Sequence, residues 1–305
     1  MNDEPYTQSA RLTGFLGWLD GERPDEADPA EAFHEASKNV PSIQPRVSPI
    51  AASLAADPTA GMPGATIARP VRRNLALPTI ALPAPAYGAA DLGTAIGERV
   101  SRRDFGSAPI SLQQLSTLLH AAYGVTQEAP EGQEGQAGQE GRRVRSVPSG
   151  GGLYPLELFA VARNVDGVAA GLYHYDPLRH LLEVVRQEEV TDSLREILLE
   201  LPQLPDIPAT CGVVFFIAGI FWRTRFKYGL RGYRWILVEA GHVGQNMVLA
   251  AASLGLHSFP NAGFWDRKVD AFLGLDGVNE SVVYSLIAGS PADGAGHAPD
   301  PSFFS

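Results

Sequence analysis

Arg145-Ser-Val-Pro-Ser-Gly-Gly-Gly-Leu-Tyr-Pro155 places three consecutive glycines directly before the apolar run Leu156 to Val161. Glycines weaken any helix or strand that contains them, and three in a row cannot fill a core. Their physical use is to bring the backbone close to a flat or charged group, with Ser149 and the backbone N–H groups available as donors. Most glycine-rich turns are only turns, so this segment alone leaves a ligand loop and an ordinary turn both open.

Two further segments concentrate cationic residues. Upstream, Arg99-Val-Ser-Arg-Arg-Asp-Phe105 puts Arg99, Ser101 and Arg103 at alternate positions, so in an extended chain their side chains point to one side. Guanidinium groups bind phosphate oxygens in bidentate fashion, which favours a phosphate site; the alternative is a solvated charge cluster at a helix end. Downstream, residues 223–234 contain five cations and no acid: Arg223, Arg225, Lys227, Arg231 and Arg234.

In their order and spacing, these segments resemble the flavin-dependent nitroreductase superfamily. Within it they are most similar to the SagB-type branch, the azoline dehydrogenases of thiazole/oxazole-modified peptide pathways. Residues 99–105 are similar to the superfamily's first flavin-phosphate segment, and residues 148–155 to the branch's flavin loop. The resemblance covers roughly residues 90–290, with a weaker match at Phe33-His-Glu-Ala-Ser-Lys38. Further matches are Gly171-Leu-Tyr-His-Tyr-Asp-Pro177, Glu239-Ala-Gly-His-Val-Gly-Gln-Asn246, Ala262-Gly-Phe-Trp-Asp266 and Leu273-Gly-Leu-Asp276.

The resemblance implies an α+β, nitroreductase-like fold with a mixed, mostly antiparallel sheet flanked by helices. It also implies a homodimer with FMN bound at the subunit interface. In relatives, the segment matching Ala262 and Gly263 presents a backbone N–H to flavin N5; a plain turn before Asp266 is the alternative. The expected FMN-binding residues are Arg99, Ser101, Arg103, Pro148, Ser149, Gly150, Gly151, Arg225, Gln245, Ala262 and Gly263.

Lys227 and Tyr228 are the expected catalytic pair, because they resemble the Lys-Tyr pair of SagB-type dehydrogenases. Aromatising an azoline ring requires removal of a carbon-bound proton and transfer of a hydride from the adjacent carbon to flavin. Neighbouring cations disfavour a protonated lysine, which makes Lys227 a usable general base with Tyr228 as its partner. Many nitroreductases hold the flavin phosphate with basic residues near the carboxy terminus. This chain has no Lys or Arg after Pro291, so Arg225, Arg231 or Arg234 would take over that role.

Composition narrows the possible functions. The chain has 305 residues and a net charge of −10, which argues against nucleic-acid binding. Cys211 is the single cysteine, and its apolar surroundings predict a buried structural thiol. No apolar run is long enough to span a bilayer, and no secretory signal is recognisable, so a cytoplasmic location is expected. The histidines do not fall at metal-ligand spacing, and no metal is expected.

The predicted organisation is an amino-terminal arm or small accessory region (1–90), an FMN-binding domain (91–292) and a carboxy-terminal tail (293–305). Ser111-Leu-Gln-Gln114 is a capping box that opens a core helix ending near Gly124. A long helix should run from about Tyr233 to Gly255. β-like runs at 156–163, 171–175, 181–185, 211–219 and 282–288 alternate with helical stretches, which indicates α+β.

The expected function is FMN-dependent oxidation of azoline rings in a ribosomally synthesised peptide, giving thiazoles or oxazoles. The peptide substrate and a cyclodehydratase complex are the expected partners. Two rival functions remain open. One is NAD(P)H-dependent reduction of nitro compounds or quinones, or flavin-dependent oxidation of another small-molecule or carrier-bound intermediate. The other is a non-catalytic scaffold subunit of a heterocyclase complex.

Overall fold

The computed structural model describes residues 29–38, 76–88, 90–128, 143–199 and 206–292. The predicted carboxy-terminal tail and most of the predicted arm lie outside these residues. A seven-stranded sheet forms the centre, in the order β1-β6-β5-β4-β7-β9-β8, and β2 and β3 form a separate hairpin. The strands are β1 (Thr79–Ala81), β2 (Val125–Glu128), β3 (Arg143–Arg145), β4 (Leu156–Ala162), β5 (Gly171–Asp176), β6 (Leu181–Gln187), β7 (Val213–Ile220), β8 (His257–Asn261) and β9 (Glu280–Gly289).

All neighbouring strands of the large sheet are antiparallel. Helices accompany this sheet, which confirms the predicted α+β class. The helices are α1 (Pro29–Ala36), α2 (Leu92–Glu98), α3 (Leu112–Tyr123), α4 (Thr191–Ile197), α5 (Ile207–Thr210), α6 (Trp222–Tyr228), α7 (Arg231–Ser253) and α8 (Asp266–Leu273).

The predicted capping box of α3 is present. The Ser111 hydroxyl accepts the Gln114 backbone N–H, and the Gln114 side chain accepts the Ser111 backbone N–H. Gly124 ends this helix, as expected. The long helix α7 ends at Ser253, and Gly255, two residues later, has the positive φ of 67° that glycine adopts at low cost.

Strand β7 shows how helices are held on both sheet faces. Val213, Phe215 and Ile217 belong to a core shared with α3 and α7. The alternate residues Val214, Phe216 and Ala218 belong to a second core, shared with α4, α5 and α8. Because successive side chains of a strand point to opposite faces, a strand buried on both faces is apolar throughout. Cys211, just before β7, lies fully buried in the second core, as its sequence context predicts.

Among the elements that were not predicted from the sequence, three concern the large sheet or the cationic segment. Strand β8 contains Pro260, which normally argues against a strand but is tolerated at a sheet edge, where β8 lies. Strand β1 pairs with β6, so the sheet begins at Thr79, within the region assigned to the arm. Residues 222–228, considered only as a cationic segment, form helix α6, which ends at Gly229 with φ 56°.

Helix α1, in the predicted arm, packs on the start of α7. The rings of Phe33 and Tyr233 meet edge to face, with centroids 5.4 Å apart. Arg234 donates to the His34 carbonyl oxygen (2.6 Å), and Arg231 donates to the Ser37 carbonyl oxygen (3.1 Å). Guanidinium groups at a helix carboxy terminus satisfy carbonyls that lack helical partners. These two arginines therefore hold α1 against α7.

Candidate functional site

The glycine-rich segment forms a tight loop between β3 and β4. Gly150–Gly152 make one turn of 3-10 helix, and Gly151 and Gly152 have positive φ of 68° and 66°. Tyr154 also has positive φ (45°), which is uncommon for an aromatic residue. Its backbone N–H donates to the Ser149 hydroxyl (2.8 Å), so Ser149 closes the loop on itself.

Lys227 and Tyr228, at the end of α6, lie directly against this loop. A Cβ atom built on Gly151 would be 2.7 Å from the Tyr228 hydroxyl oxygen and 2.9 Å from Lys227 Nζ. A Cβ built on Gly150 would make ordinary contacts with Trp235 (3.7 Å) and Tyr228 (3.8 Å). Two groups of predicted residues, one expected to bind cofactor and one expected to be catalytic, are therefore brought together.

A buried carboxyl group lies next to Ser149 of the glycine-rich loop. Glu239, on α7, is 2 % exposed, and its Oε1 accepts the Tyr123 hydroxyl (2.7 Å). Its Oε2 is buried and accepts no well-aligned hydrogen bond from the described residues. Burial raises the pKa of Glu239 to about 7, although the Ser149 and Tyr123 hydroxyls and the charge of Arg145 act in the opposite direction. The Arg145 guanidinium lies over the ring of Tyr123, 4.3 Å from its centroid.

Arg99 lies elsewhere, at the far end of α7. With Arg102 it lines a pocket of about 100 Å³ that also includes Gly255, His257 and Ser258. Residues 101–104 belong to no named strand, so the one-sided arrangement of Arg99, Ser101 and Arg103 stays a prediction. Arg102 donates its backbone N–H to the Ser258 carbonyl (3.0 Å).

The remaining residues of this cationic segment are placed differently. The Arg103 guanidinium lies over the Phe259 ring, 5.0 Å from its centroid, and Ser101 is half-buried. Arg102, which was not among the predicted FMN-binding residues, thus lines the pocket together with Arg99, whereas Arg103 is not among its lining residues.

The other predicted FMN-binding residues occupy several places. Ala262 and Gly263 follow β8, where the Gly263 N–H donates to Asn261 Oδ1 (3.0 Å). Ala262 is exposed there, and Pro148 is exposed at the start of the glycine loop. Arg225 is exposed on α6, and Gln245 is exposed on α7. Neighbouring Asn246 has a structural role, because its amide donates to the carbonyls of Ala121 and Ser146.

The two main groups lie at opposite ends of α7. Trp235 contacts the glycine loop near the start of this helix, and Gly255 borders the Arg99–Arg102 pocket just after its end. At 1.5 Å per residue, the intervening turns separate the groups by roughly 30 Å. That distance exceeds the length of an extended flavin mononucleotide, so a single chain does not bring both groups to one such ligand.

The chemistry of both groups fits a flavin mononucleotide. Arg99 and Arg102 are cations beside a pocket in a chain of net charge −10, as a phosphate requires. The loop at Gly150 and Gly151 has no side chains, so its backbone can approach a flat ring. Within the described residues, no group of three or more His, Cys, Asp or Glu side chains could hold a metal ion. None of the described helices is both long and apolar enough to cross a membrane.

Comparison with known proteins agrees with this fold. The model of the nitroreductase family matches residues 96–290, and the chain belongs to that family. It is therefore an oxidoreductase of a family whose members usually bind a flavin. A protein of Methanocaldococcus jannaschii named as a nitroreductase, MJ1384, is 38 % identical over 176 residues, which span 58 % of this chain and 80 % of that protein.

Two further relatives are named for peptide processing. The microcin B17-processing protein McbC of Escherichia coli is 37 % identical over 136 residues, 43 % of this chain and 49 % of McbC. The trifolitoxin-processing protein TfxB of Rhizobium leguminosarum bv. trifolii is 32 % identical over 146 residues, 47 % of this chain and 39 % of TfxB. The matches therefore span less than half of each of these two proteins.

Solved structures share the fold. A structure from Ralstonia eutropha, named as a nitroreductase, has a TM-score of 0.55 and 24 % identity, and the match covers 70 % of this chain and 90 % of that one. The Escherichia coli microcin synthetase McbBCD complex with truncated pro-MccB17 bound contains a chain with a TM-score of 0.52 and 24 % identity. That match covers 88 % of this chain and 99 % of the other.

Proposed function

We propose that this protein is an FMN-dependent dehydrogenase that oxidises azoline rings in a ribosomally synthesised peptide. The observation that carries the proposal is the contact of Lys227 and Tyr228 with the glycine loop at Gly151. A proton-accepting side chain against the loop suits a dehydrogenation, which must remove a carbon-bound proton, whereas reduction of nitro compounds takes up protons. The relatives McbC and TfxB, whose names refer to the processing of microcin B17 and trifolitoxin, support a peptide substrate.

In this proposal, Lys227 accepts the proton that leaves a ring carbon of the azoline. Tyr228 shares that proton or polarises the ring nitrogen, since its hydroxyl and Lys227 Nζ approach the same point of the loop. The flavin, when bound, accepts the hydride from the adjacent carbon. One proton and one hydride leave together, which accounts for the two hydrogens lost when a thiazoline or oxazoline becomes aromatic.

We also propose that two copies of the chain form a homodimer through α7 and α2. These helices expose a set of large apolar side chains, and exposed patches of this kind mark interaction sites. The set comprises Leu92, Ile96, Trp235, Leu237 and Val238. If two α7 helices pack antiparallel about a two-fold axis, the glycine loop of one chain lies beside the Arg99–Arg102 pocket of the other. Such a pairing would complete an FMN site that one chain leaves divided.

The test uses the purified protein with FMN and a synthetic peptide that contains one thiazoline or oxazoline. Loss of two hydrogens per ring, read by mass spectrometry, is expected for the native chain. Lys227→Ala should keep its bound FMN and lose this oxidation, while Lys268→Ala, which removes an exposed lysine on α8, should oxidise normally. Full turnover by Lys227→Ala would refute the assignment.

The same preparation distinguishes the rival functions. Anaerobic loss of flavin absorbance on addition of the azoline peptide, with no loss on addition of NADPH, supports the dehydrogenase. Rapid bleaching by NADPH together with an unchanged peptide would favour a reductase. A protein that binds no flavin under reconstituting conditions would favour a scaffold subunit.

A further inference from the structure

Arg223, on α6, is a fully buried cation one helical turn before Lys227. Its Nη1 donates to the Tyr154 carbonyl oxygen (3.2 Å), and its Nη2 forms an ion pair with the Glu157 carboxylate. A buried guanidinium is costly unless it is paired and hydrogen-bonded, and breaking such a pair leaves an uncompensated charge. Arg223 therefore needs both of its partners, and these interactions lie where α6 meets the glycine loop.

Tyr154 is fixed by its neighbours at three points. Its N–H donates to the Ser149 hydroxyl, its phenol oxygen accepts the Arg145 N–H (3.0 Å), and its carbonyl accepts Arg223. The first two bonds close the loop on itself. The third joins the loop to the helix that carries Lys227 and Tyr228, so Arg223 links the predicted cofactor-binding and catalytic residues.

Glu157, on β4, is oriented by a further set of buried ion pairs. His174 lies between two carboxylates: Nε2 is 2.8 Å from Glu157 Oε2, and Nδ1 is 3.0 Å from Glu183 Oε2. Glu183 is paired in turn with Arg179 (2.7 Å). Burial alone lowers the pKa of His174, but its two carboxylate partners outweigh it and raise the pKa to about 9. A protonated His174 gives an alternation of positive and negative groups that holds the Glu157 carboxylate toward Arg223.

We propose that Arg223 is a positioning residue for Lys227, holding the end of α6 against the glycine loop through Tyr154 and Glu157. The catalytic part of this inference rests on the proposed function of Lys227. Arg223 is too buried to contact a substrate, so its effect should fall on the placement of Lys227 and not on the capture of peptide. Small displacements of a catalytic group reduce turnover strongly, by about 100-fold for an error near 1 Å.

The first measurement does not depend on activity. Lys38, Lys227 and Lys268 are the lysines of the chain, so competitive acylation with acetic anhydride followed by mass spectrometry resolves each one. In FMN-loaded protein, Arg223→Met should change the acylation rate of Lys227 and leave Lys268 unchanged. Equal Lys227 rates in Arg223→Met and native protein would overturn the proposal, whatever the catalytic role of Lys227.

The second measurement is turnover of the azoline peptide. Arg223→Met should retain FMN and an unchanged KM, with kcat lower by about 10- to 100-fold. Arg223→Lys should recover only part of the loss, because an ammonium keeps the charge but cannot reproduce the planar fork that reaches two acceptors. Because Arg223→Met removes the guanidinium that faces Glu157, Arg223→Met/Glu157→Gln serves as a second version in which both charges are removed; it should fold and show the same low kcat.

The outcomes distinguish failure of the proposed function from failure of the positioning role of Arg223. If Lys227→Ala keeps full turnover, the proposed function fails, and the acylation rates still decide whether Arg223 positions Lys227. If Lys227→Ala is inactive but the folded, FMN-loaded Arg223 variants turn over normally, the positioning proposal fails and the proposed function stands.

Discussion

Gly151 and Tyr228 are so close that a methyl group on Gly151 would lie 2.7 Å from the Tyr228 hydroxyl oxygen. Real side-chain carbons essentially never approach an oxygen so closely, and Lys227 Nζ would be only 2.9 Å from the same methyl group. The positive φ of Gly151 adds a second reason for glycine at this position. The proposed catalytic pair, Lys227 and Tyr228, is therefore a reason for glycine at residue 151 that does not depend on a bound ligand.

Gly151→Ala should displace Lys227 and Tyr228 and reduce oxidation of an azoline peptide by about 10- to 100-fold. Gly167→Ala is the matched control, because Gly167 also has a positive φ (76°) but a Cβ there would meet no atom within 4 Å. We expect the control to stay within about threefold of the native turnover, since it touches neither the loop nor Lys227 and Tyr228. Comparable losses in both variants would show that strain from the positive φ, and not contact with Lys227 and Tyr228, causes the loss.

The Arg99–Arg102 pocket should recognise the phosphate of FMN. Arg102→Ala should weaken FMN binding by about 1–3 kcal/mol, the loss expected for a charge-assisted hydrogen bond. Riboflavin lacks the phosphate, so its affinity should be the same in the native and variant proteins. Fluorescence titrations with FMN and riboflavin measure both affinities. The same titrations of Arg103→Ala show which of the two arginines contributes more to FMN binding. Equal losses for FMN and riboflavin would place the phosphate elsewhere.

The exposed apolar face of α7 should hold two chains together. Leu237→Glu puts a charge on this face and should convert a dimer into monomers with loss of bound FMN. Val278→Glu is the control, since Val278 is also exposed but lies in the turn before β9. Light scattering after gel filtration and the ratio of flavin to protein absorbance measure both effects. A dimer that survives Leu237→Glu would exclude this face as the main contact.

Glu239 should make stability depend on pH. Its pKa is raised from 4.5 to about 7 by burial, so the folded chain holds this proton more tightly than the unfolded chain does. The associated stability is complete below about pH 4.5 and is lost as the pH rises through about 7. Its size is on the order of 3 kcal/mol.

Glu239→Gln keeps an acceptor for Tyr123 and removes the titration. Its unfolding free energy, measured with urea between pH 4.5 and 8, should therefore fall less with pH than that of the native chain. Glu188→Gln, at an exposed carboxyl group, should behave like the native chain. Parallel pH profiles for Glu239→Gln and the native protein would contradict the assignment.

Much of the architecture could be predicted because local signals and packing agree. The capping box at Ser111 and the glycine stop of α7 are local signals, and the continuous apolar run of β7 reports burial on both faces. Strand β8 was missed because Pro260 reads as a strand breaker, and only its place at the sheet edge makes it tolerable. Edge position is a property of the whole fold and leaves no trace in the segment itself.

Parts of the site were missed for related reasons. Arg223 and Glu239 look like ordinary charged helix residues, and their importance comes from burial against residues distant in sequence. Helix α6 has no side-chain cap at its start, so the local sequence gives no signal that a helix begins there. Gly151 precedes β4 and Lys227 follows β7, so their contact joins two segments that are distant in sequence. Sequence resemblance named both residues, but only the folded chain places them together.

In the proposed dimer, helix α7 carries half of an FMN site at each end, so defects at its two ends should complement each other in the genetic sense. A chain without Lys227 and a chain without Arg102 would each assemble only defective pockets. In a mixed dimer of the two chains, one pocket would have both residues and the other would have neither. Co-expression of the two defective chains should thereby restore one complete pocket in each mixed dimer.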